Sequence, residues 1–528
     1  MRDDPPLTLA RHGARMALLL ALAALLLLPM LGRSGFAATE GHRVAPAWAM
    51  LDSGEWSRLE MFGAPYLRKP PGMPWAIAAS SEVFGRTERA ARLVSALSAA
   101  LLAAAAYVFA ARWFGGRWGL FAGLAQLLMP WTWPSARSAE IESLHTLGAG
   151  LAAYLLIEIL AARPARAANG RAIGSWGSPV LLAGAALLAL LAKGPASAPM
   201  IVGVVAGAGW ARRSWWPAVD PRWWLPFLSA AAAFGMIMSW VWRVSVRAGE
   251  PITQDVSEFL WAWDRAPALV VMAPAALAAM LPASLSLLFP WGADARRERA
   301  DDDPVAATVA SAAARGILLS LAAYVALGVS NPRYAMPVAP LASVLAAWAA
   351  RGVWASVECR GRFGERRRSI GRVLGLGLPR AWPVALTIAG AGYVWLGEAR
   401  RGEIDGRAAG RAIASAILDA RGEGHAEVWA DEVIEARPDV LLYARSGLGA
   451  ASGRVRFRWE KSALRAGSGP GEGEFVLLRT DAGDGEAERF ATAVESGSLR
   501  ELARGRVGRY GWALCRVEHA PGVGLRPR

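Results

Sequence analysis

The sequence predicts an all-α polytopic membrane bundle of about eleven transmembrane helices followed by a C-terminal soluble α/β domain. Three observations carry this prediction. Long apolar segments recur as far as residue 397, arginines gather in the short loops between them, and the composition changes near residue 398. Hydrophobic residues make up 54% of the 528 and charged residues 19%, with a mean hydropathy of +0.28, a balance that suits repeated membrane spans rather than several water-soluble domains.

The first apolar segment, 15–32, follows basic residues and precedes "FAA", as a cleavable signal peptide does. Its apolar stretch exceeds a signal core, which favours an uncleaved anchor. Further segments lie at 92–111, 118–134, 142–162, 178–192, 195–211, 224–244, 266–289, 311–329, 335–350 and 381–397. Several are shorter than the roughly 20 residues that cross a bilayer upright. The domains are therefore 1–397, a membrane domain, and 398–528, where Arg, Glu, Asp and Gly prevail. Within the tail, "EVWADEVIEARPDVLLYARSG" and "GEFVLLRTD" mix strands with helical stretches, and "YGWALCRVE" reads as a closing strand.

Arginine placement orients the bundle. With a cytoplasmic N-terminus, the inner loops hold Arg112 and Arg117; Arg163, Arg166 and Arg171; Arg212, Arg213 and Arg222; Arg296, Arg297 and Arg299; and "RGRFGERRRSIGR" at 360–372. This satisfies the positive-inside rule. An odd number of spans then carries the tail to the periplasmic or extracellular side of the inner (plasma) membrane. The net charge of +15 is thereby explained by topology, and nucleic acid is not an expected partner. The two cysteines, Cys359 and Cys515, fall on opposite sides of the membrane and make no disulfide framework.

The same topology leaves Glu40, Lys69, Glu142, Lys193 and Arg333 on the outer face. Charges at the edge of hydrocarbon are costly, so such residues tend to line a wet cavity or a site. Two outward carboxylates among outward cations suit transfer to a hydroxyl or amine from a phosphate-linked donor. A carboxylate takes the acceptor's proton, and cations neutralise charge growing on a departing phosphate.

These positions lie in motifs. From "EGHRVAPAWAMLDSGEW" through "PYLRKPP" to "VFGRTERAARLVSAL", and onward through "SARSAEIESLHTL", "LLAKGP" and "NPRYAMPVAPLASVLAA", the chain resembles the polyprenyl-phosphate-sugar-dependent glycosyltransferases. That family includes lipid A aminoarabinose transferase and the protein O-mannosyltransferases. The resemblance covers about residues 15–350; the tail shares only its character as a soluble outer domain. It implies the GT-C membrane fold and transfer of a sugar, with inversion, from an undecaprenyl or dolichyl phosphate carrier on the outer or lumenal face. The implied partners are a polyprenyl-phosphate-linked sugar and a lipid or glycan acceptor. A protein acceptor, or a non-catalytic homologue that binds or translocates lipid-linked sugar, are the alternatives. No fixed-period or inverted repeat of the kind transporters carry is apparent.

Carried over by position, the resemblance assigns the donor phosphate to Lys69, on the rigid turn made by Pro70 and Pro71. Lys193 and Arg333 are further phosphate candidates. Relatives bear an Asp-Glu pair where this chain has Thr39-Glu40, so the base role falls to Glu40 or Glu142. Tyr66, Trp75, Arg137, His145 and Tyr334 complete the candidates, as substrate-binding residues.

Ordinary roles compete with each assignment. Lys69 and Lys193 can snorkel to headgroups, and Glu40 can be a solvated neighbour of a helix N-cap. Glu142 and His145 stand one turn apart, a spacing also found in metal sites, but two ligands alone do not define one. No metal or cofactor is expected, and a divalent ion is left open. Most of the 25 tryptophans cluster at span ends, as aromatic belts do.

Overall fold

The computed structural model describes residues 9–37, 39–162, 177–246, 266–281, 283–288, 304–329, 331–361, 406–421, 425–430, 437–449, 454–459, 470, 472–480, 492–507 and 510–518. The expected span at 381–397, the arginine-rich loop 362–372, nearly all of the outer loop 245–265 and the domain boundary at 397/398 lie outside the described residues.

The chain is a multi-pass membrane protein. Seven helical stretches among the described residues are long and apolar enough to cross a membrane: Ala10–Leu27, Glu88–Phe114, Ile141–Ala162, Ser178–Arg212, Trp216–Ser245, Pro304–Ala326 and Pro332–Trp354. They overlap helices α1 (Leu9–Leu27), α4 (Glu88–Phe114), α6 (Ile141–Ile157), α7 (Gly177–Lys193), α8 (Ala198–Arg212), α9 (Pro221–Ser245), α10 (Pro304–Ala326) and α11 (Ala339–Gly361). The remaining membrane-domain elements used below are α2 (Gly41–Ser53), α3 (Gly72–Phe84) and α5 (Gly116–Leu128). The expected segment 118–134 is thus cut short. Its helix ends at Leu128, and a separate turn of helix, Thr132–Ala136, follows Pro130.

Ser178–Arg212 is one apolar stretch but two helices. Gly194, at φ +64°, opens a 3-10 turn, Gly194–Ser197, between α7 and α8, in a backbone region that favours glycine. Lys193 reaches Glu142 at the start of α6, whereas the Arg212 guanidinium donates to Leu160 O beyond the end of α6, at 3.1 Å. The chain therefore reverses at Gly194, as the separate segments 178–192 and 195–211 predict.

Small residues let these helices approach. A Cβ at Gly207 would stand 2.5 Å from Gly316 N, and one at Gly148 would stand 2.6 Å from Ala189 N. Membrane helices, lacking a hydrophobic drive to associate, gain from such close backbone packing. Leu225, Leu228, Met236 and Trp240 on α9 stay exposed, as a lipid-facing helix requires.

The two ends of the bundle differ chemically. At one end Arg112 pairs with Glu158 at 3.2 Å and Arg212 caps Leu160. At the other lie Glu142, Lys193 and Arg333, beneath the long first loop. That loop is built from α2, a short antiparallel hairpin of β1 (Glu60–Met61) and β2 (Ala64–Pro65), and α3.

The C-terminal domain sits on this second end. It comprises α12 (Arg407–Arg421), β3 (Ala426–Ala430), α13 (Pro438–Gly447), β4 (Val455–Trp459), β5 (Phe475–Arg479), β6 (Leu499–Val507) and β7 (Tyr510–Val517). The strand order is β4-β3-β5-β7-β6, with β3 parallel to β4 and β5, and β7 antiparallel to β5 and β6. Ala409, Ile413, Ala414 and Ile417 recur at helical spacing and bury one face of α12. The strand and helix expected in "EVWADEVIEARPDVLLYARSG" are β3 and α13, and those expected in "GEFVLLRTD" and "YGWALCRVE" include β5 and β7. Cys515, in β7, is a buried free thiol.

Candidate functional site

Three distant segments deliver one ionic cluster. Glu142 is the second residue of α6, Lys193 ends α7, and Arg333 lies in the 3-10 turn Pro332–Val338, whose start is capped by the Asn331 side chain accepting from Arg333 N at 3.0 Å. Glu142 Oε1 accepts from Lys193 Nζ at 3.3 Å, from Arg333 Nη2 at 2.9 Å and from Arg333 Nε at 3.3 Å. Lys193 Nζ also stands 4.2 Å from the centre of the Tyr334 ring. The side chains of Glu142 and Lys193 are 4% and 5% exposed, whereas that of Arg333 is 50% exposed. The cluster is thus a buried ion pair with one open cationic edge.

A second layer adjoins it. Glu140, the residue before α6, accepts a hydrogen bond from Thr39 Oγ1. Buried Arg43 donates from Nη1 to the Tyr66 hydroxyl at 2.7 Å. Burial, reinforced by the Glu142 carboxylate, pushes the Glu140 carboxyl up to about 7, against the opposing pull of Arg43. Arg43 Nε, Glu140 Oε2, Glu142 Oε2 and His145 Nε2 are buried with no hydrogen-bond partner among the described residues. Buried polar atoms are normally satisfied. Donors and acceptors left open together mark a place for a polar ligand or water.

The KPP turn abuts this layer. A Cβ at Gly72 would stand 2.5 Å from Leu191 O, and one at Gly194 would stand 4.0 Å from Pro70 Cγ. Only a glycine permits the first of these approaches. Lys69 is half-buried on this turn, next to the end of α7 that carries Lys193.

Not every predicted residue joins the cluster. The structure gives Glu40 a different place: its carboxylate receives Arg92 Nε at 2.8 Å and Nη2 at 2.9 Å, Ala37 N at 2.9 Å and Ala139 N at 2.8 Å. Four donors already occupy its oxygens, and the side chain of Arg92 is 0% exposed. Glu40 ties the first loop to α4 and to the segment before α6. Arg137 donates to Leu27 O at 2.8 Å and so caps the end of α1. Trp75 donates to Trp56 O at 2.7 Å within the first loop. Tyr66, His145 and Tyr334 do border the cluster, through Arg43, α6 and Lys193 respectively.

Sequence reasoning missed Glu140, Arg43 and the Thr39 contact. Glu140 and Glu142 stand two residues apart in "SAEIESL", so a signal existed in the pair of acids opening one helix. Among the described residues no group of three His, Cys, Asp or Glu side chains is disposed to hold a metal ion.

The fold is that of a GT-C membrane protein. Two crystal structures of ArnT from Cupriavidus metallidurans superimpose on nearly the whole chain. The apo form gives a TM-score of 0.64 and the form bound to undecaprenyl phosphate 0.65, each at 19% sequence identity and covering 95% of this chain and 98% of that one. Residues 68–242 match the family model described as dolichyl-phosphate-mannose-protein mannosyltransferase. No curated protein matches the chain in sequence.

Proposed function

We propose that this protein is an integral membrane glycosyltransferase that moves a sugar from a polyprenyl-phosphate carrier to a lipid or glycan acceptor. The observation that carries this reading is the meeting of Lys193, Arg333 and Glu142 at the bundle end, beside open polar atoms of Arg43, Glu140 and His145. The fold shared with ArnT, of which one structure is bound to undecaprenyl phosphate, and the mannosyltransferase match over 68–242 support it.

In this mechanism Lys193 and Arg333, with Lys69 from the adjoining turn, bind the carrier phosphate. Ionised Glu140, steered by the Thr39 hydroxyl, takes the proton of the acceptor hydroxyl. The acceptor oxygen attacks the anomeric carbon while the bond to the phosphate oxygen breaks. That oxygen leaves with the electron pair, and its charge is met by the same cations. A single in-line displacement gives inversion. The departure from an acid at position 39 is thus offset by Glu140, which favours catalysis over a non-catalytic role.

Orientation belongs to the same reading. Arg112 and Arg212 gather at the end opposite the cluster, so the site and the C-terminal domain face the periplasmic or extracellular side of the inner membrane. A protein acceptor is the second reading, favoured by the description of the family matched over 68–242.

The test is transfer itself. The purified protein is incubated with labelled polyprenyl-phosphate sugars and envelope extract, and products are separated into lipid and protein fractions. Label in lipid supports the first reading, and label in protein supports the second. Carrier consumption without product, or no consumption with any donor, would remove the proposal.

A further inference from the structure

The C-terminal domain grips the segment that presents Thr39. Tyr443, on α13, receives the Phe36 amide at 2.6 Å and donates its hydroxyl to Glu88 Oε1 at 2.7 Å. The Phe36 and Tyr443 rings stack, with centroids 5.9 Å apart. Gly406 N reaches Phe36 O at 3.4 Å. Five residues along, Gly41 meets the domain again: a Cβ there would stand 2.5 Å from Asp439 N and 2.8 Å from Pro438 Cγ, so only a bare backbone fits.

Arg407 completes the grip. Its guanidinium donates to Arg33 O at 2.8 Å and to Glu88 Oε1 at 2.7 Å. From the membrane side, Arg92 donates to Ser34 O at 2.9 Å and to Gly35 O at 2.6 Å. The described residues on either side of position 38, 33–37 and 39–41, are therefore held from both the bundle and the C-terminal domain, and Thr39 extends to Glu140.

We infer that the C-terminal domain is a working part of the active site, with Tyr443 as a positioning residue that holds the Phe36 amide so that the Thr39 hydroxyl stays on Glu140. The inference rests on the proposed function for its kinetic half only. The domain also reaches Arg33, Glu88 and Asp52, but its contacts at Phe36 and Gly41 bracket Thr39, so docking and the placement of Thr39 are coupled. Its role is to fix the base rather than to bind the donor phosphate, because none of its contacts given above touches Lys193 or Arg333.

The experiment compares the full-length parent with Tyr443→Phe and Arg445→Ala in detergent or nanodiscs. Arg445 pairs with Asp52 at 3.1 Å in the same interface but away from the segment. Tyr443→Phe keeps the ring and leaves the Phe36 amide without its acceptor. Hydrogen exchange read by mass spectrometry over 36–41 is expected to accelerate about tenfold in Tyr443→Phe and to stay at the parent rate in Arg445→Ala. With a transferable donor, kcat falls about tenfold, while inhibition by undecaprenyl phosphate stays within about twofold of the parent.

Unchanged exchange over 36–41 in Tyr443→Phe overturns the inference. So does faster exchange with an unchanged kcat, since the clamp would then not serve the site. Should Tyr443→Phe fail to accumulate, Arg407→Lys carries the same comparison through Arg33 and Glu88. If the parent transfers no sugar, the proposed function falls, and the exchange data alone decide the positioning.

Discussion

Arg333 Nη2 donates to Glu142 Oε1 across 2.9 Å, although the two residues lie 191 positions apart. The same oxygen receives Lys193. One buried carboxylate therefore holds two cations from different helical segments. Replacing Glu142 with Ala leaves Lys193 buried without this partner, and the expected loss is about 3–5 kcal/mol. Denaturant unfolding in detergent measures it. The pair Glu142→Leu with Lys193→Met should recover much of that stability without recovering sugar transfer.

Glu140 gives a pH signature. Burial and the Glu142 carboxylate favour its neutral form and place its ionisation at about 7. A base works only when ionised, so kcat/KM should rise with pH through about 7 and level off above it. Glu140→Gln should abolish that limb and lower kcat by about 10²- to 10⁴-fold. A pH–rate series on both proteins checks this, and a limb retained in Glu140→Gln removes Glu140 from the mechanism.

Glu40 behaves differently. Its oxygens are filled by Arg92 and two amides, so Glu40→Ala should lower stability by about 3–5 kcal/mol. Folded protein that remains should keep the pH limb of the parent. Loss of turnover with an unaltered unfolding midpoint would instead restore Glu40 as the base.

Gly207 reports on the scaffold. A Leu at this position must displace Gly316 and separate α8 from α10, at a cost of about 1–3 kcal/mol. The melting temperature should fall, and KM for the donor should change little in the protein that stays folded.

Much of this arrangement was legible in the sequence. Hydropathy locates the long helices among the described residues because apolar length is what a bilayer selects, and arginine placement predicts which end of the bundle each loop joins. Glu142, Lys193 and Arg333, which that sorting assigns to one face, meet in the fold. The sorting could not separate Glu40 from them, because a loop carboxylate reads alike whether it faces a substrate or a buried arginine; only the placement of Arg92 decides. Sequence alone does not distinguish Glu140 from Glu142, two residues on, since helix phase at an N-terminus is set by the cap and not by hydropathy. Proline at 130 likewise ended the fifth helix sooner than its apolar run suggested. The clamp of Tyr443 on Phe36 joins residues 407 positions apart, and no local pattern announces it.

In the proposed mechanism the cations at this end of the bundle receive a carrier phosphate. A structure of the protein with undecaprenyl phosphate decides whether they do. Phosphate oxygens are expected about 3 Å from Lys193 Nζ and the Arg333 guanidinium, with Glu142 releasing at least one of its present contacts. A phosphate seated away from both residues, with Glu142 still holding them as it does now, would contradict that mechanism.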